Sequence, residues 1–103
     1  MLLLASLLNA MASEAEWCTH KDASFQQTIS AIVKKMRTQT CQGAFRKLST
    51  RRSIDLSRMR LTDLRPLTTH RQLRMILLRE NSITDLSPLS GLIDLTWLDI
   101  AQN

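Results

Sequence analysis

Two aspartates, two histidines and two cysteines are the residues whose types and spacing bear on chemistry. Asp55 and Asp99 sit two copies of a 22-residue period apart. If each copy contributes one strand to a stack, both carboxylates fall in one outward column, on the order of 10 Å apart. That is the separation of a general acid and a general base flanking a scissile glycosidic bond. Leu77 falls between them, however, and no further acid, base or nucleophile joins the column. His20 and His70 are isolated, and no Cys–His spacing has the logic of a metal site. With Gly43 and Gly91 the only glycines, no phosphate-cradling loop is available. We therefore expect no enzyme, no cofactor and no metal.

Cys18 and Cys41 are not spaced as a CxxC pair. In an oxidising compartment an even cysteine count in a small domain reads as a disulfide. Such a bridge would close a loop of about two dozen residues and contribute roughly 3 kcal/mol. The alternative, two buried thiols in a cytosolic protein, stays open at this point.

The element pattern that must position these residues is a repeat. Sliding the chain by 22 places Ile54 on Ile76 and Leu98, and Leu56 on Leu78 and Ile100. Asp63 falls on Asp85, Leu64 on Leu86, Pro66 on Pro88, Leu67 on Leu89, Leu73 on Leu95 and Asn81 on Asn103. A leucine-rich period of this length predicts a solenoid, in which each unit buries its apolar edge against its neighbours. The first half of each unit alternates as a strand. The second half reads Leu61-Thr-Asp-Leu-Arg-Pro-Leu and Ile83-Thr-Asp-Leu-Ser-Pro-Leu, where Asp63 and Asp85 cap a tight turn with proline early in it. Asn81 and Asn103 are expected to bond turn backbone inside the stack. Met59 stands where the first such Asn would be, and His70 takes a core position that Leu92 holds in the next copy. We expect His70 to be partly buried and hydrogen-bonded.

Residues 13–50 carry no copy of the repeat. Phe25, Ile29, Ile32, Val33 and Met36 recur at helical spacing, with Ser24 and Gln27 as a capping box and Thr38-Gln-Thr as a stop. Gly43 is expected to interrupt before a second short helix from Ala44 to Leu48, with Phe45 and Leu48 inward. Laid over the first repeat, this segment would be an N-terminal cap tied by Cys18–Cys41. Residues 1–12 form a short apolar run ending in Ala10-Met11-Ala12, the pattern of a cleaved signal peptide. Export to the periplasm, cell surface or medium follows.

The net charge is +5, and thirteen of the fourteen Lys and Arg lie between Lys34 and Arg79. That block can attract anionic partners such as lipopolysaccharide or acidic lipid. With only four aromatic residues, not interleaved with the basic ones, nucleic-acid binding is not favoured.

The stretch from Leu73 to Leu95 (LRMILLRENSITDLSPLSGLIDL) resembles the 22-residue leucine-rich repeat of bacterial internalin-like proteins. The resemblance covers residues 51–103, as two full repeats and an incomplete third. It implies a curved α/β array behind a helical cap, with parallel strands on the concave face and short 3-10 or helical turns on the convex face. It also implies a non-catalytic module that binds another protein through the concave face. The outward strand positions are Arg52, Ser53, Asp55 and Ser57, then Arg74, Met75, Leu77 and Arg79, then Thr96, Trp97, Asp99 and Ala101. Among them Arg74, Met75, Leu77, Arg79, Thr96, Trp97 and Asp99 form the expected interface, apolar at its centre and charged at its rim. Trp97, Leu98 and Ile100 are left on an uncapped edge. That edge implies either a fragment of a longer repeat protein or a cover supplied by another chain, self-association included.

Overall fold

The computed structural model describes residues 16–103, so the signal-peptide reading of residues 1–12 lies outside the described residues. Helix α1, Ala23–Met36, forms because Phe25, Ile29, Ile32 and Met36 recur on one face and are all buried. Its N-cap is Asp22, whose side chain accepts from the Ser24 amide, so the expected box of Ser24 and Gln27 does not open the helix. Gln27 instead points away to the first repeat unit. The helix stops at Arg37, in the left-handed region at φ 56°, before the Thr38–Thr40 stretch expected to end it.

Helix α2 spans Cys41–Leu48 and is longer than expected, since Gly43 lies inside it. Thr40 caps it by accepting from the Gly43 amide at 3.0 Å. A Cβ at residue 43 would come within 2.7 Å of that Thr40 hydroxyl, so this glycine makes room for the cap instead of breaking the helix. Ala44, Phe45 and Leu48 point into the core as expected for the last two. Cys18 and Cys41 form a disulfide with Cα atoms 5.7 Å apart, joining the segment ahead of α1 to the start of α2. Trp17 packs edge-on against Phe25 and Phe45, at 6.1 and 5.8 Å between ring centroids.

Three short strands follow: β1 Ser53–Asp55, β2 Met75–Leu77 and β3 Trp97–Asp99. They form one parallel sheet in the order β1-β2-β3, giving a small α/β fold. Ile54 pairs with Ile76 and Ile76 with Leu98, so the register reproduces the offset of 22 in the sequence. A 3-10 turn follows each of the first two strands, at Arg65–Leu67 and Ser87–Leu89, with proline at its start. Asp63 and Asp85 accept from the amides two residues on, Arg65 and Ser87, at 3.0 and 2.9 Å. The strands reach one residue type inward: Ile54, Leu56, Ile76 and Leu78 are buried with Leu61, Leu64, Leu67 and Leu73.

Asn81 is buried, and its Oδ1 accepts from Met59 and Leu61 amides at 3.0 Å each. Its Nδ2 donates to the Leu56 and Leu78 carbonyls at 3.0 and 3.1 Å. Asn103 makes the corresponding bonds to Ile83 and Leu78. In the first unit Met59 has no side-chain amide, and Gln27 of α1 donates its own to the Met59 and Arg60 carbonyls. Thr28 donates to the Asp63 carbonyl from the same helix. Arg65 bridges Asp22 and Asp63 and lies 5.2 Å over the Phe25 ring. Ser24 and Arg65 hold the Asp22 carboxyl down at about 2.

His70 departs from expectation. It is 3% exposed, stacked on Phe45 at 5.4 Å, and its Nε2 has no hydrogen-bond partner. Burial without a partner pushes its pKa down from 6.5 to about 4. It is therefore a neutral core residue, not a partly buried, hydrogen-bonded one.

Candidate functional site

Because side chains alternate along a strand, the two rows flanking the buried middle residues face outward together. The register sets Ser53 beside Met75 and Met75 beside Trp97 in one row, and Asp55, Leu77 and Asp99 in the other. All seven residues expected at the interface fall on β2, β3 and the residues that bracket them. Met75 is 38% exposed and Trp97 58%, while Leu77 is half-buried within the acidic row, between Asp55 and Asp99. Arg74 and Thr96 bracket the patch on one side, with the Thr96 hydroxyl donating to the Arg74 carbonyl at 3.3 Å. Arg79 lies on the other side, 3.6 Å from Asp99.

The carboxylates of this face are committed to structural bonds. Asp55 accepts from the Ser57 amide at 3.0 Å, and that contact with the Ser57 hydroxyl, Lys35 and Arg58 lowers its pKa. Asp99 accepts from the Ala101 amide at 3.1 Å besides meeting Arg79. Leu77 stands between Asp55 and Asp99 as the period required. Among the described residues, no group of three or more His, Cys, Asp or Glu is placed to hold a metal.

Sequence reasoning about the face missed the contribution of α1. A cleft of about 530 Å³ opens between helix and sheet, lined by Lys35, Asp55, Ser57, Arg58, Leu77 and Arg79. Two further clefts continue it along the α1–β1 seam and add Lys34, Arg51 and Arg60. Arg58 pairs with Glu80, whereas Lys34, Lys35, Arg51 and Arg60 make no ion pair with another described residue. The only signal in the sequence was the dense basic block; nothing in the 22-residue period reports where a helix outside it will lie. Among the described residues, no helix is long and apolar enough to cross a membrane. No family model, curated protein or solved structure matches the chain.

Proposed function

We propose that this chain is a leucine-rich-repeat recognition module, similar to the internalin-like repeats, that binds another protein on the outward face of its sheet. In this reading α1 and α2 are the N-terminal cap, and the disulfide suits an exported protein. The observation that carries it is the shared register of β2 and β3. That register sets Met75 beside Trp97, with Leu77 two residues further along β2 on the same outward side and Arg74 and Arg79 flanking them in sequence. An aromatic anchor flanked by arginine is the composition of an interface centre, while a monomer gains nothing by exposing it.

The experiment compares wild type with a Leu77→Ala/Trp97→Ala variant as baits against extracellular proteins of the source organism. Both side chains lie outside the core, so the variant should keep the wild-type circular dichroism spectrum. Partners captured by wild type and lost by the variant support the reading; an identical set captured by both refutes it. A second reading rests on the cations gathered along the α1–β1 seam, Lys34, Lys35, Arg51 and Arg60, which would hold an anionic surface. Binding to anionic vesicles that disappears between low and moderate salt favours that reading, since screening acts on charge and not on apolar contact.

A further inference from the structure

The three clefts between α1 and the sheet join in a line. The first and second share Ser57 and Arg58, the second and third share Lys35 and Asp55, and the first and third share nothing. The sections of this groove measure about 390, 530 and 250 Å³. Cations recur along its whole length: Lys34, Arg58 and Arg60 in the first section, Lys35 and Arg79 in the second, Arg51 in the third. All six are exposed. Glu80 matches Arg58 and Asp99 matches Arg79, while the other four make no ion pair with another described residue. Asp55 is the one acid among the lining residues, and its carboxylate already accepts from the Ser57 amide. A cleft lined by one sign of charge between low-dielectric walls focuses that potential into its floor.

The turn at the first section departs from the repeat. Arg58 adopts a left-handed φ of 59°, as Glu80 and Gln102 do at the same place in later units, so that conformation belongs to the period. Arg60 adopts φ 58° as well, yet its counterpart Ser82 is not among the left-handed residues. Gln27 of α1 holds the Arg60 carbonyl at 2.8 Å. Glycine or asparagine would take this conformation at less cost. Strained residues of this kind gather where a side chain is needed for something besides the fold, and here the strained residue sets a cation in the first cleft.

The chemistry of the lining narrows the occupant. It holds no aromatic ring, so a nucleic-acid strand finds no platform for its bases. A bilayer is a plane and meets only the rims of a groove, whereas a linear chain follows the floor and passes each cation in turn. Between the cations lie the hydroxyls of Ser30, Ser53 and Ser57, which suit the hydroxyls and ring oxygens of sugars. We infer that the groove binds a linear sulfated polysaccharide, its sulfates meeting the six cations along the seam. The inference deepens the anionic-surface reading and rests on it, with a chain in place of a plane. The Cys18–Cys41 disulfide suits the oxidising surroundings in which such polymers are found.

The test is titration of the oxidised full chain with a fluorescent heparin octasaccharide at low salt, read by anisotropy. A Lys34→Gln/Lys35→Gln/Arg60→Asn variant, altered at three exposed groove cations, should bind at least about 10-fold more weakly. A Lys21→Gln/Arg46→Gln/Arg71→Gln variant loses the same charge from exposed sites that line none of the three clefts, and its affinity should change less than about 3-fold. Circular dichroism checks the fold of both. A sulfated disaccharide, which reaches one cleft at a time, should bind at least about 100-fold more weakly than the octasaccharide. Equal losses in the two variants, or equal affinity for the two lengths, overturn the inference. So does a single-stranded oligonucleotide of the same charge that binds more tightly than the octasaccharide. Binding to phosphatidylglycerol vesicles without binding to the octasaccharide overturns the inference and upholds the anionic-surface reading; binding to neither overturns both.

Discussion

Replacing His70 by leucine should stabilise the protein at neutral pH and remove most of its acid sensitivity above pH 4. The imidazole is 3% exposed, with Nε2 unpartnered and Phe45 stacked on one face. Leu92, which occupies the corresponding place in the next unit, is buried to nearly the same degree. Removing an unsatisfied buried nitrogen is worth about 1–3 kcal/mol, against about 1 kcal/mol for the lost ring stacking. The pH term has a definite sign. The folded pKa is lowered from 6.5 to about 4, so between these values the unfolded chain binds a proton that the folded chain refuses. Stability is thus full above pH 6.5, falls as pH drops toward 4, and then levels off. Linkage puts the loss between pH 7.5 and 4.5 at about 2.5 kcal/mol. The lowered carboxylates act in a separate window: their stabilisation is lost only as pH falls below 3.8, the unperturbed Asp value. Urea unfolding of wild type and His70→Leu, both oxidised, at those two pH values measures the difference. If wild type loses no more stability than the variant on acidification, His70 is not the buried neutral group described here.

The disulfide links residues separated by 23 in sequence, and its removal by Cys18→Ser/Cys41→Ser should cost about 3 kcal/mol. Denaturant unfolding with and without reductant checks this, and a midpoint unchanged by reduction would refute it. Asn81→Ala should cost at least about 3 kcal/mol, because the Met59 and Leu61 amides and the Leu56 carbonyl lose their partner inside the stack. Asn103→Ala, made at an exposed residue, should cost about 1 kcal/mol or less, so equal losses would contradict the burial argument.

The repeat half of the fold was legible because one number, the period, sets strand register, turn position and the Asn81 bonds together. A side chain that recurs every 22 residues must meet its copy in a parallel stack, and Met75 does meet Trp97. The helical half has no such redundancy. Asp22 takes the cap from Ser24 because its carboxylate accepts from both the Ser24 amide and hydroxyl while also reaching Arg65. Gly43 reads as a breaker by propensity, yet the Thr40 cap over it outweighs that preference. Arg58, Glu80 and Gln102 adopt φ of 59, 56 and 61°, where glycine or asparagine would be expected. Two of these residues are fixed by neighbouring units, through the bonds from Arg58 to the Arg79 carbonyl and from Glu80 to the Ala101 carbonyl. Long-range bonds of this kind leave no mark on local sequence. The seam clefts were illegible for the same reason: they exist only where Lys34 and Lys35 of α1 come to rest beside Arg51, Arg58 and Arg60.

Among the described residues each strand of the sheet pairs only with its sequence neighbours, and the β1 end is the one backed by helices and a disulfide. Local unfolding in such a row proceeds more readily away from that backing, so the third unit opens more easily than the first. Trp97 and Asp99 ride on that unit, whereas Met75 and Leu77 ride on its better-supported neighbour. Any ligand gripping both strands therefore meets a population of molecules, of which only the fully zipped fraction is competent. Its apparent dissociation constant rises by the inverse of that fraction. A substitution that merely steadies the last unit, without touching the ligand, would then sharpen binding. Conversely, affinity would fall on warming faster than the contacts themselves weaken.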